Sequence, residues 1–173
     1  MEVEIRLMKS EDGQILTDAF FEQGWIKSVA LFQYYFSLQE QGAMDVLVAL
    51  VDGEHAGYLT LIPNALVGPF ASKGLPEIGD LNVLKKFQRQ GVGNKLMDEA
   101  EKRARVFSDS VTLAVGMHKG YGSAQRMYVK RGYVPDGSGA WYNEEPLDEY
   151  MECRNDDFLC LYLKKDLLIE RTF

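Results

Sequence analysis

Residues 88–94 read Gln88-Arg89-Gln90-Gly91-Val92-Gly93-Asn94, with two glycines one residue apart where the apolar period of a helix begins. Lacking a Cβ, glycine lets backbone turn sharply or come close to a ligand. The first turn of a helix presents N–H groups without intrahelical partners, and its aligned peptide dipoles place roughly half a positive charge there. The chemistry available to such a stretch is anion binding. Three or four N–H bonds to a phosphate, each about 1.5–3 kcal/mol, outweigh the dipole itself at about 0.3–1 kcal/mol. Lys85, Lys86, Arg89 and Lys95 surround the pair in a chain that is acidic elsewhere, and they dominate locally because charges beyond roughly 8 Å are screened at physiological salt. A flexible strand-to-helix turn with solvated lysines is the competing reading, and on these residues alone both stay open. Two other phosphate loops are excluded by spacing: a dinucleotide fingerprint needs a third glycine, at the position of Leu96, and a P-loop needs four residues between its glycines.

Other residues with chemical potential are scattered. His55, His118, Cys153 and Cys160 show no metal-ligand spacing and no Cys-His nucleophile pattern, so no metal is expected. The carboxylates between 136 and 157 read first as a solvated loop; with Trp141 and Tyr142 among them, a rim that attracts a cation is the second reading. A net charge of −7 argues against nucleic acid, whose binding needs clustered Lys and Arg, and suits a cationic small molecule or peptide. With 173 residues, 46% hydrophobic and 26% charged, one globular domain over 1–173 is expected. No run of apolar residues is long enough to span a membrane, the first residues lack a basic and then apolar leader pattern, and two cysteines are too few for a disulfide framework. A cytoplasmic protein with neither membrane nor nucleic-acid partner is the expectation.

The elements that must position the glycine pair follow from period and punctuation. Glu2–Leu7 alternates as a half-buried strand. Ser10 to Asp12 is placed to cap a helix carrying Ile15, Leu16, Ala19 and Phe20, and a second helix is expected after Gly24 with Ile26, Val29, Ala30, Phe32 and Tyr34 to Phe36. Asp52-Gly53 between two β-rich runs, 45–51 and 54–62, signals a tight hairpin. Residues 63–74 are loop-like, 77–84 form a strand, and Val92, Leu96, Met97, Ala100, Ala104 and Phe107 mark one face of an amphipathic helix. A short strand at 111–115, a helix at 123–131 capped by Gly132, a loop over 136–150 and a last strand at 158–163 complete an α/β sheet of mixed direction.

With its strand before and helix after, the run from Gln88 to Gly93 resembles the signature of the GNAT superfamily of acetyl-CoA-dependent N-acetyltransferases: Gln or Arg, two residues, Gly, one residue, Gly or Ala. A second block, Ser123 to Pro135, resembles the family's later helix and strand through Ala124, Tyr128, Gly132 and Tyr133. Where many members carry an Asn seven residues before the tyrosine, this chain has Tyr121. The resemblance implies a mixed, mainly antiparallel central sheet of about seven strands flanked by about four helices and splayed between the strands at 77–84 and 111–115. It implies acetyl-CoA as cosubstrate, with the pantetheine arm on the backbone of Leu81, Asn82 and Val83 and the pyrophosphate on Gln88, Arg89, Gln90, Gly91, Val92, Gly93 and Asn94. A homodimer is common among such proteins.

The same resemblance implies acetyl transfer to a primary amine by direct attack in a ternary complex. An alkylammonium with a pKa near 10.4 must first lose a proton, for which a carboxylate is the natural acceptor. Glu77 and Asp80 are the candidates; three apart on a strand, they are expected to point to opposite faces, and the choice between them stays open. Tyr128 matches the tyrosine that protonates the departing thiolate in many relatives. The acceptor could be a polyamine, an amino sugar, an amino acid, or a protein N-terminus or lysine. Trp25 and Tyr34 to Phe36 are expected in the core first and at the acceptor second. A non-catalytic acyl-CoA-binding module is the alternative from another class.

Overall fold

The hairpin strands are aliphatic on both faces and therefore need cover on both sides. A computed structural model describes residues 1–167; residues 168–173 of the expected 1–173 domain lie outside the described residues. The chain forms two compact units, one of Met1–Ile62 with Gly79–Arg103, the other of Pro63–Ile78 with the chain from Ala104 onward.

The first unit contains β1 (Val3–Leu7), α1 (Asp12–Glu22), α2 (Val29–Glu40), β2 (Asp45–Val51), β3 (Glu54–Ile62), the end of β4 (Glu77–Val83) and nearly all of α3 (Val92–Arg105). Its strands lie in the order β1-β2-β3-β4. β1 runs antiparallel to β2 from Val3↔Val51 to Leu7↔Leu47, and β2 and β3 meet across the expected Asp52-Gly53 turn with Val51↔Glu54. Val46 to Ala49 and Leu59 are fully buried, as are Phe20 of α1 and Phe32 of α2. Those two phenyl rings meet the Tyr58 ring edge-on, at 5.8 and 5.0 Å between centroids. Val92, Leu96, Met97 and Ala100 of α3 are buried as their spacing predicts, whereas Phe107 lies beyond the helix and is exposed.

One helix start differs from the sequence reading, and α1 begins where expected, though its N-cap Glu11 makes no side-chain capping bond. Ser28, not Gly24, opens α2: its Oγ accepts from the Leu31 N–H at 3.1 Å, so Ile26 falls outside the helix and is 87% exposed. Asp12 is buried, and its carboxylate accepts from the Lys9 N–H at 2.7 Å and pairs with Arg6 at 2.6 Å and His55 at 2.7 Å. Burial alone would raise its pKa, but these partners outweigh it and hold the group at about 2. His55 is thus part of a charged cluster rather than an isolated side chain.

The second unit holds the strands β4-β5-β8-β6-β7 in that order, with β5 at Ser110–Gly116, β6 at Val134–Tyr142, β7 at Glu145–Pro146 and β8 at Leu159–Asp166. The pairing expected to open between β4 and β5 is confined to Glu77↔Thr112 and Ile78↔Leu113, in parallel. β8 runs antiparallel to β5 and to β6. Much of the expected loop over 136–150 is instead a hairpin of β6 and β7, which makes eight strands among the described residues against the expected seven or so. The ladder of β6 with β8 breaks between Pro135↔Leu163 and Ala140↔Leu161, so the turn-like Pro-Asp-Gly-Ser-Gly run bulges from a strand without ending it. α4 (Gly122–Lys130) ends as expected before Gly132, whose φ is +91°. Ala65 and Phe70, from the stretch read as loop, pack on Tyr162. Among the described residues no helix is long and apolar enough to cross a membrane.

Candidate functional site

β4 loses its regular pleat at Asp80, which adopts φ +46°, a left-handed conformation uncommon for any residue but glycine and of order 1–3 kcal/mol in strain. The alternation used to place Glu77 and Asp80 on opposite faces therefore does not run through this strand, and the count of three decides nothing about their faces. Four donors hold the Asp80 carboxylate. Oδ2 accepts from the hydroxyls of Tyr35 at 2.9 Å and Tyr58 at 2.8 Å. Oδ1 accepts from Asn82 Nδ2 at 2.8 Å and Lys27 Nζ at 3.3 Å. Burial first, and the Asp80 charge second, push both phenols well above the ordinary tyrosine pKa, which keeps them protonated as donors.

Sequence reasoning passed over Tyr58 and Lys27 and placed Tyr35 in the core first. A signal did exist for Tyr58: a tyrosine within an aliphatic strand buried on both faces requires a partner for its hydroxyl. Trp25 is half-buried, stacking on the fully buried Phe20 at 6.0 Å, whereas Tyr34, also expected in the core, is exposed.

The backbone of β4 is approached closely by β3. A Cβ on Gly57 would lie 2.4 Å from the Asn82 carbonyl oxygen, so only glycine allows this approach. From Val83 the chain passes through a single 3₁₀ turn, Lys85–Phe87, into the glycine loop. Gln88 Nε2 donates to the Val83 carbonyl at 3.0 Å and Gln90 Nε2 to the Lys86 carbonyl at 2.9 Å. These two side chains therefore tie the loop to the strand before it. Arg89 (φ +60°) and Gly91 (φ +84°) turn the backbone into α3, and the Gly91 carbonyl accepts the helix bond from the Lys95 N–H at 3.0 Å.

A phosphate fits what this loop presents. A Cβ built on Gly91 would meet nothing within 4 Å, so the space beside it is open. No acidic residue stands in the first turn of α3, where Val92 and Gly93 begin the run of N–H groups lacking helical partners. All four of the expected cations are exposed, and two of them have partners. Lys86 pairs with Glu54, and Lys85 Nζ lies 5.3 Å from the Trp25 ring centroid; Arg89 and Lys95 are exposed.

The second unit places Glu77 in a different setting. Its Oε2 is shielded from solvent and has no hydrogen-bond partner. Burial, and then the charge of Glu144, push the carboxyl up to about 7. Tyr128 is 7% exposed on α4, its ring 5.8 Å edge-on to Tyr133, and burial raises its pKa to about 12. Tyr121, at the position where many relatives have Asn, donates from its hydroxyl to Asp157 at 3.0 Å and packs over Gly116. Asp157 also pairs with His118 at 2.7 Å. Among the described residues no group of three His, Cys, Asp or Glu side chains could hold a metal ion.

The sequence profile of the Acetyltransferase (GNAT) family matches residues 13–133. The chain belongs to the GNAT family of acetyltransferases. An uncharacterized N-acetyltransferase in the pepI 3′ region of Lactobacillus delbrueckii subsp. lactis is 39% identical over 83 residues, 47% of each chain. The match thus spans about half the length of that curated relative. Solved GNAT structures share the fold. An acetyltransferase of the GNAT family from Desulfovibrio desulfuricans superposes with a TM-score of 0.72 at 15% identity, covering 96% of this chain and 100% of that one. The acetyltransferase yncA from Salmonella typhimurium, solved with its cofactor acetyl-CoA, gives 0.68 at 15% identity, covering 99% and 96%.

Within this GNAT chain, the first unit brings Asp80, Leu81, Asn82, Val83 and the loop Gln88 to Asn94 into one continuous segment. Gln88 and Gln90 spend their side-chain amides on backbone carbonyls, and Asn82 spends its amide on Asp80. In the second unit, burial is the first cause of the raised pKa of both Glu77 and Tyr128.

Proposed function

We propose that this chain is a single-domain N-acetyltransferase that moves the acetyl group of acetyl-CoA to a primary amine by direct attack in a ternary complex. The observation that carries the reading is Glu77: a buried carboxyl with an unpartnered oxygen and a pKa of about 7 serves no evident structural purpose and suits a proton acceptor at neutral pH. Acetyl-CoA supplies an activated acetyl thioester. Backbone of Leu81, Asn82 and Val83 would hold its arm, and Gln88 through Asn94 would hold its phosphates through N–H groups, with Arg89 and Lys95 as exposed cations nearby. The known complex of the yncA acetyltransferase with acetyl-CoA supports this choice of cosubstrate.

Glu77 accepts the first proton from the acceptor ammonium and passes it to solvent; the neutral nitrogen then forms the new N–C bond as the C–S bond breaks, and its second proton goes to the ionised Glu77. Tyr128 serves the leaving sulfur. Full transfer from a phenol at about 12 to a thiolate of ordinary pKa about 8.5 is uphill, so Tyr128 acts as a hydrogen-bond donor, and the sulfur leaves as thiolate to be protonated by solvent. The net charge of −7 favours a cationic acceptor. Free Cys153 and Cys160 fit a reducing, cytoplasmic setting.

Mixing the protein with acetyl-CoA and a panel of amines should release free thiol. Tight CoA binding with no turnover on any amine would instead support an acyl-CoA-binding module, and no CoA binding would remove both readings. Gly91→Glu puts a carboxylate into the open space beside α3 and should abolish CoA binding by calorimetry with the circular dichroism spectrum retained. Undiminished affinity would remove the glycine loop from the site.

A further inference from the structure

The Asp80 carboxylate carries a cation that the chain supplies to itself. Tyr35, Tyr58 and Asn82 are neutral donors: they orient the carboxylate and leave its charge in place. Among the described residues Lys27 is the cation within ion-pair reach of Asp80, and both side chains remain about a quarter exposed, at 23% and 25%. The Lys27 Nζ also lies 5.9 Å from the centroid of the Tyr58 ring. A carboxylate oxygen with an aromatic face beside it recognises any primary ammonium.

We infer that Asp80 and the Tyr58 ring form a seat for the ammonium of a linear alkylamine, and that Lys27 is its resident occupant, displaced when the acceptor binds. This rests on the acetyl-transfer reading for its purpose, though not for its geometry. The three neutral donors come from α2, β3 and β4, at 2.8–2.9 Å. Lys27 instead comes from the connector between α1 and α2, beside the 87% exposed Ile26, and its contact is 3.3 Å long. Charge-assisted N–H···O bonds are usually about 2.7–2.9 Å, and ion pairs at this exposure contribute little to stability. Lys27 is therefore the member of the cluster that can leave while the others hold Asp80 in place.

Charge and shape also select the occupant. Lys27 reaches the seat on an unbranched chain of four methylenes, so lysine side chains and linear diamines fit it. An α-amino acid brings its own carboxylate close to Asp80, and with Lys27 displaced the cation that could balance it is gone.

The test uses the whole chain without acetyl-CoA. Lysine residues are labelled with carbon-13 at Cε, and the Lys27 signal is identified by its loss in Lys27→Met. Titration with 1-butylamine and 1,4-diaminobutane should shift the Lys27 signal saturably, whereas glycine should not. Calorimetry should show Lys27→Met binding 1,4-diaminobutane about two- to fivefold more tightly, the range that follows from a weak exposed pair. Amine binding that leaves the Lys27 signal unmoved, affinity no higher in Lys27→Met, or no binding to the wild-type chain would each overturn the inference. The signal shift is measured on the wild-type chain and so stands if the variant does not fold. Thiol release measured in parallel separates the two readings: turnover with an unresponsive Lys27 removes the seat alone, and a responsive Lys27 without turnover on any amine removes acetyl transfer alone.

Discussion

Two carboxylates three residues apart on one strand end in opposite surroundings. Asp80 sits in a backbone kink with four donors on its two oxygens, drawn from α2, β3, its own strand and the 23–28 connector. Glu77 keeps one oxygen shielded and unpartnered and is held near neutrality in pKa. A carboxylate saturated with donors is held in its place, and is suited to binding. A desolvated and under-bonded one is costly to ionise and is suited to taking up a proton. The difference fits the proposed division, with amine binding at Asp80 and proton transfer at Glu77.

The variant with the largest expected effect on that contrast is Glu77→Gln. Loss of a positioned general base should lower kcat by about 10²–10⁴-fold, with the CoA affinity unchanged. In the wild-type chain kcat/KM should rise with pH up to about 7, where Glu77 becomes ionised, and this limb should vanish in the variant. The sign for stability is the reverse. A carboxyl raised from 4.5 to about 7 binds its proton more tightly in the folded state, so this group's contribution is greatest below pH 4.5 and is lost as pH rises through 7. Urea unfolding of Glu77→Gln across that window should lack the decline. A full rate in Glu77→Gln would return the base role to Asp80 or to solvent.

A smaller effect is expected from Asp80→Asn. Removing the charge from the ammonium seat should raise KM for an amine by about tenfold, the loss of roughly 1.4 kcal/mol from a charge-assisted contact, with kcat changed less than threefold. If kcat fell by orders of magnitude and KM held, the two roles would have to be exchanged. The smallest effect falls on Tyr35→Phe, which leaves Tyr58 on Oδ2 and should reduce stability by about 1–2 kcal/mol in urea titration, with little change in rate.

Much of the architecture was legible because it depends on neighbours in the chain. The Asp52-Gly53 hairpin, the α3 face at Val92, Leu96, Met97 and Ala100, and the stop at Gly132 all follow from turn chemistry and helical period. The same local rules misread Asp136 to Gly139, because turn residues that bulge out of a strand and turn residues that end one have the same composition. Ser28 carried the right signal for the start of α2, and the apolar Ile26 before it masked that signal.

From its sequence alone this protein was determined as an α/β chain with a closely spaced glycine pair at the start of α3, in a setting that resembles the acetyltransferases to which it proved to belong. Tertiary structure alone decided what each carboxylate of β4 is suited to do. The partners of Asp80 lie 22, 45 and 53 residues away, at Tyr58, Tyr35 and Lys27, and the charge acting on Glu77 comes from Glu144 on the β6–β7 hairpin. Hydrogen-bond saturation and desolvation are properties of a residue's surroundings in space, and those surroundings exist only once distant segments have packed.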